Sequence, residues 1–171
     1  MPIQTIGKTL TIGYPGSFSR NADCIIANRG IKTTDSAAPA FGDPVILNPD
    51  NTYRKFGSGH TAAQFIGVAV REVKQATDYM NQGQLTYRPG EPADALLRGS
   101  VCIKVNNGTP TAGGTVYIRI TANAAIPAGV VGGFEAVADG ANTIALTNAV
   151  FTTGSMDSNK IAEITILTRK A

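Results

Sequence analysis

The chain has 171 residues, 43% of them hydrophobic and 16% charged, with a formal net charge of +3. That length holds one domain with a core of its own, and that composition excludes a disordered chain. No apolar run approaches the ~20 residues of a membrane helix, and the basic residues are spread too thinly to mark a nucleic-acid-binding face.

Residues 1–40 are interrupted every few positions by Gly, Pro, Ser or Ala, and no period of 3.6 is sustained. This predicts an extended N-terminal arm, with brief strand-like pieces near Thr9–Ile12 and Asp23–Ala27. An arm with so few local contacts needs a surface, either its own body or a neighbouring chain. The opening MPIQTIGKTL lacks the apolar stretch of a signal peptide, so a soluble protein folded where it was made is expected.

From Phe41 to the end, residues 41–171, the pattern becomes that of a β body. Asp43–Asn48 reads as a strand, Asn48-Pro49-Asp50-Asn51 as a turn, and Thr52–Phe56 as the returning strand. Gln64–Val73 alternates, with Ile66, Val68 and Val70 on one face and Gly67, Ala69 and Arg71 on the other. The small residues of that second face predict close approach of another layer. Tyr87–Glu91 is a Pro-Gly turn, followed by a short strand at Ala93–Leu97. Ser100–Val105 and Thr115–Ile120 alternate cleanly, with Val101, Ile103, Val105, Val116, Ile118 and Ile120 inward. Asn107-Gly108 and Gly113-Gly114 bracket the loop between them, so the two are expected to form a hairpin. Asn123–Gly133 is expected to be a mobile small-residue loop. Further strands are expected at Ile144–Leu146, Ala149–Thr152 and Ile161–Thr168. The fold class is all-β: a compact barrel or sandwich of short antiparallel strands with an extended arm.

Catalytic chemistry finds no footing. His60 is the one histidine of the chain. It follows Gly57-Ser58-Gly59, but no nucleophile elbow surrounds Ser58. Cys24 and Cys102 lie far apart and match no zinc or redox spacing, and free buried thiols are expected. Asp43, Asp50 and Asp78 match no calcium loop. Gly108–Thr115 has the glycine spacing of a phosphate loop but carries Gly114 where that motif needs lysine, and a strand follows instead of a helix. Glu91 and Glu163 are expected on solvated surface, outside any apolar pocket that would tune a glycosidase carboxyl. The expectation is a non-enzyme with no metal and no cofactor.

Several segments, in order, resemble phage head decoration proteins, the structural cement family. These are Phe41-Gly42-Asp43-Pro44-Val45, Gln64–Arg71, Tyr87–Ala93, Leu97–Val101, Gly113–Ile118, Ala149–Thr153 and Ile161–Ile164. Tyr14-Pro15-Gly16 followed by Arg20 is similar to the family's arm. The resemblance implies a β-barrel body with an arm, no catalytic residues, and a tailed-bacteriophage virion component made in the host cytoplasm and placed on the outer capsid surface. It implies the major capsid protein as partner and a homo-oligomer, with a trimer favoured over a dimer, and no nucleic acid or membrane. The expected mechanism is stabilisation of the mature head lattice by binding. Candidate contacts are the arm's apolar residues Ile3, Ile6, Leu10, Ile12, Tyr14, Ile25 and Ile26, with Arg20 and Arg29 for acidic partners. The alternative is a receptor- or glycan-binding module of a virion spike or fibre. The absence of Trp, with only five Tyr, counts against that reading.

Overall fold

A computed structural model describes residues 11–34, 38–71 and 85–169. The described residues form nine strands: β1 (Phe18–Gly30), β2 (Pro44–Leu47), β3 (Tyr53–Lys55), β4 (Phe65–Ala69), β5 (Pro92–Asn107), β6 (Thr115–Arg119), β7 (Phe134–Glu135), β8 (Thr143–Phe151) and β9 (Ile161–Ile166). Helix among them is confined to single 3-10 turns at Ala62–Gln64 and Gly140–Asn142. The chain is all-β, as its alternation and turn residues predict.

β5 organises the molecule. Its C-terminal half pairs with β9 on one edge and with β7 on the other, and β7–β6–β8–β9 completes a closed circuit. Its N-terminal half pairs with β1 and β4, and β4 leads through β2 to β3. An isolated bridge from Ile31 to Tyr53 joins the end of β1 to β3 and closes a second, smaller circuit. Closure removes open edges, a standing hazard of β-sheets.

Each circuit has a core. Val101, Ile103 and Val105 of β5 meet Val116, Ile118, Phe151, Ile164 and Ile166 in the larger core. This is the inward face that period-2 alternation predicts, and Lys104 is exposed between these buried neighbours. The smaller core gathers Ile31, Phe41, Val45, Tyr53, Ala69, Ala95 and Leu97. Within the smaller circuit, β2 and β4 have buried residues on both faces. Val45 and Ala69 face its interior, whereas Ile46, Val68, Val70 and Leu96 face the larger core. The close approach at Gly67 comes from the neighbouring strand and not from another layer as expected: β5 pairs with β4 at Val68–Leu96, and a Cβ at Gly67 would lie 2.2 Å from the Leu96 carbonyl oxygen. Ile66 joins the smaller core instead of sharing a face with Val68, because β2 and β4 shift register between Val45 and Ile46.

Three expectations are corrected. Ala93–Leu97 and Ser100–Val105 are one strand, β5, and the segments at Ile144–Leu146 and Ala149–Thr152 are likewise one, β8. β5 and β6 are not a hairpin, because β7 enters between them, parallel to β5 and antiparallel to β6. Phe134 drives that insertion: it is 1% exposed and meets Phe65 edge-to-face at 6.4 Å. The loop 123–133 is held by consecutive turns, Ile126 to Asn123, Gly129 to Ile126 and Gly133 to Val130, and by a bond from Gly132 N–H to the Arg119 carbonyl.

Candidate interaction surface

The N-terminal segment docks on the body by its backbone and leaves several side chains outside. Ser17 donates its hydroxyl to the Tyr14 carbonyl at 2.6 Å and closes a Tyr-Pro-Gly-Ser turn. Gly16 N–H donates to the Cys102 carbonyl at 2.8 Å, and Arg71 N–H donates to the Gly16 carbonyl at 2.9 Å. Gly16 has φ +79°, and a Cβ there would stand 2.8 Å from both the Ala69 carbonyl oxygen and the Arg71 nitrogen. Only glycine satisfies both the angle and the space. Tyr14, beside this anchor, stays 65% exposed.

β1 then runs antiparallel along β5 with register shifts between Phe18 and Ile26. Its side chains reach the body mainly through polar groups. Ser19 Oγ and Arg20 Nε donate to Glu163 at 2.8 and 2.9 Å. Asp23 pairs with Arg98, Asn28 donates to Asp94 at 2.7 Å, and Arg29 bonds Asn51. Glu163 is therefore not on solvated surface as expected, since the first residues of β1 cover it to 5% exposure. Glu91 is half-buried and accepts the Arg88 N–H at 2.9 Å within its own turn.

The candidate contact residues separate into three groups. Ile12 is half-buried and donates its N–H to Asp157 at 3.1 Å, and Ile25 packs against the smaller core. Tyr14 and Ile26 remain exposed, as does Phe18, which sequence reasoning passed over. Arg20 and Arg29 are engaged within the chain. Ile3, Ile6 and Leu10 lie outside the described residues.

A groove of about 300 Å³ opens beside the Gly16 anchor. Phe41 and Phe134 line it, with Pro15, Leu85 and Val130 around them. Lys55, Arg71 and Lys104 supply positive charge and Asp43 the one carboxylate. Asp43 is already paired with Lys55 at 2.8 Å and accepts the Ala40 N–H at 2.8 Å. The Arg71 guanidinium stacks over Tyr14 at 4.8 Å and over Phe41 at 5.9 Å. Among the described residues neither Arg71 nor Lys104 has an acidic partner.

Sequence reasoning also missed a buried ion cluster. Arg119, on the side of β6 away from Val116 and Ile118, is fully buried. It pairs with the equally buried Glu135 of β7 and, at 2.8 Å, with Asp139, and it donates to the Thr121 carbonyl at 3.2 Å. Asn123 donates to both Asp139 oxygens, and this with Arg119 holds the Asp139 carboxyl below its usual value. The arrangement ties β6 and β7 to the loop between them and to the turn before β8. Its charged groups are satisfied by one another.

Elsewhere the geometry is that of packing. His60 stacks edge-on against Phe56 and accepts the Gly57 N–H at Nδ1. Cys24 and Cys102 are both free, and burial pushes the Cys102 thiol up. Among the described residues no cluster of three His, Cys, Asp or Glu side chains is placed to hold a metal ion.

Two linked strand circuits, with an N-terminal segment laid along their shared strand, make up the described fold. A chain in the structure titled "The capsid of Myoviridae Phage XM1" has this fold, with a TM-score of 0.72 over 96% of both chains at 12% identity. Residues 3–166 match the family model described as XM1 gp53 minor capsid protein, and this chain belongs to that family. No curated protein sequence matches it.

Proposed function

We propose that this minor-capsid-family chain is a decoration, or cement, protein. It binds the outer surface of the mature head, takes the major capsid protein as its partner, and works as a homo-oligomer, a trimer in preference to a dimer. It does so without catalysis, metal or cofactor. A protein that binds the mature lattice and not its precursor adds its binding free energy to the mature state by mass action, about 2.7 kcal/mol per site at a hundredfold excess over Kd. Repetition across a lattice multiplies modest contacts through avidity.

One observation carries the reading. The segment from Tyr14 to Ile26 is bonded to the body through its backbone at Gly16 and Ser17 and paired with β5 at Phe18, Arg20, Ile25 and Ile26, while Tyr14, Phe18 and Ile26 remain exposed. A rigid strip presenting apolar and aromatic side chains suits an interface, because little further ordering is needed on binding.

The test is reconstitution. Heads assembled without this protein are mixed with the purified chain, and bound copies are counted by sedimentation. Saturable binding to mature heads with increased resistance to heat supports the reading. Failure to bind, or recovery only inside the shell where added protease cannot reach, overturns it. Exposed-position variants Tyr14→Ala and Ile26→Ser ask whether the strip is the contact, and solution mass gives the oligomer.

A further inference from the structure

We propose that the groove beside Gly16 is the docking site for a neighbouring shell protein's extended acidic segment, which places an aliphatic or aromatic side chain against Pro15, Leu85 and Val130. The proposal rests on the reading of this chain as a head-binding protein and names the chemistry of one of its contacts. At about 300 Å³ the groove is at the small end of ligand pockets, a size for one or two side chains. Its accessible lining is apolar at Pro15, Leu85 and Val130, over a floor of the buried Phe41 and Phe134. Its charge is one-sided: Asp43 is committed to Lys55, which leaves Arg71 and Lys104 without an acidic partner among the described residues.

Arg71 is pre-positioned. Its backbone N–H is bonded to Gly16 and its guanidinium lies on the faces of Tyr14 and Phe41, so little rotamer freedom remains to be lost on meeting a carboxylate. Lys104 projects from β5 between the buried Ile103 and Val105, a rigid mount for a second charge. An apolar anchor flanked by two fixed cations selects a peptide with a hydrophobic residue beside Asp or Glu. Arg71, which lines the groove, lies over the exposed Tyr14 and so links the groove to the proposed contact strip.

Two measurements test this on the full-length chain. A photoreactive residue at Leu85 or Val130, positions 55% and 51% exposed on the rim, is carried onto heads and irradiated. The expected product is a cross-link to a shell protein at a peptide bearing Asp or Glu within a few residues of an apolar side chain. Cross-links only to a second copy, to the chain's own residues 1–10 or 72–84, or to a peptide without carboxylates overturn the proposal. In parallel, Lys104→Glu and the double variant Arg71→Glu/Lys104→Glu are titrated against heads at rising salt. The double variant is expected to bind at least about tenfold more weakly and with a flatter salt dependence. Because Lys104 is an exposed strand position, the single variant keeps the fold and is expected to show the same loss at smaller size. If the wild-type chain binds heads and both variants bind equally well with unchanged salt dependence, the groove has no such role. If the wild-type chain itself does not bind, it is the cement reading that fails.

Discussion

The larger strand circuit and the N-terminal strip both hang on β5, and they are held in opposite ways. In the circuit, side chains do the holding: Ile103, Ile118, Phe134 and Ile164 are at most 1% exposed, and even the charged Arg119 and Glu135 are fully enclosed. In the strip, the backbone does the holding. Gly16 and β1 are bonded to Cys102, Arg71 and β5, while the ion pairs that accompany them are wet on at least one side, Arg98–Asp23 at 44% and 64% side-chain exposure and Arg20 at 65% against a buried Glu163. Burying side chains yields a rigid body. Holding by backbone leaves side chains outward, where another molecule can reach them. A protein that must be both a stable block and an adhesive surface can divide the two tasks in this way along one strand.

The sharpest way to break the comparison is through the buried charges. Arg119→Met leaves Glu135 ionised and unpaired in the interior, and a loss of about 3–5 kcal/mol is expected in urea denaturation. Arg119→Met combined with Glu135→Leu is expected to recover a good part of it, since neither charge then remains. If the single variant were as stable as wild type, the cluster would not hold the loop. The same cluster predicts a pH dependence. The folded Asp139 value lies below the usual 3.8, so the stabilisation from its ionised form is complete above that value and is lost as pH falls through the folded one. Asp139→Asn is expected to flatten the fall of stability as pH drops below the usual carboxylate value, read from thermal midpoints.

A step smaller is the packing of β4 on β5. A methyl at Gly67 would lie 2.2 Å from the Leu96 carbonyl, so Gly67→Ala forces two backbones apart. A cost of about 1–3 kcal/mol is expected, with both cores loosened together because β4 faces both. Hydrogen exchange would show this as lost protection in β2 and β4 as well as in β5.

Much of the body was legible because it follows period-2 alternation. Val101, Ile103, Val105, Val116, Ile118, Ala162, Ile164 and Ile166 all face the larger core as their spacing predicts. Gly67 announced a close approach, though of its paired strand β5 and not of another layer. What escaped are features made by residues distant in sequence. β7 has two residues and no pattern to detect, yet it separates β5 from β6. Arg119 sits where alternation places a solvated residue, and its burial depends on Glu135 and Asp139 arriving from beyond a loop. Glu163 was misplaced for the same reason, its cover being Ser19 and Arg20 from the far end of the chain. The groove draws on Pro15, Phe41, Arg71, Lys104 and Phe134, five separated positions whose convergence no local spacing records.

The smallest effects on the fold belong to the strip, and there the comparison becomes most informative. Arg20→Ala removes one of the two donors to Glu163 but leaves Ser19 in place, so its denaturation midpoint is expected to move less than that of Gly67→Ala. Tyr14→Ala removes a side chain that is 65% exposed, and stability is expected to stay within about 0.5 kcal/mol of wild type. The Arg71 guanidinium then loses one of its two aromatic faces and keeps Phe41. Attachment to heads should nevertheless fall, because Tyr14 belongs to the proposed contact strip and lies against Arg71, which lines the groove. Paired denaturation and head-sedimentation curves on one preparation check this directly. Loss of attachment without loss of stability is the signature of a strip held by its backbone and used through its side chains. Equal losses in both would mean that Tyr14 serves only to pack its own body.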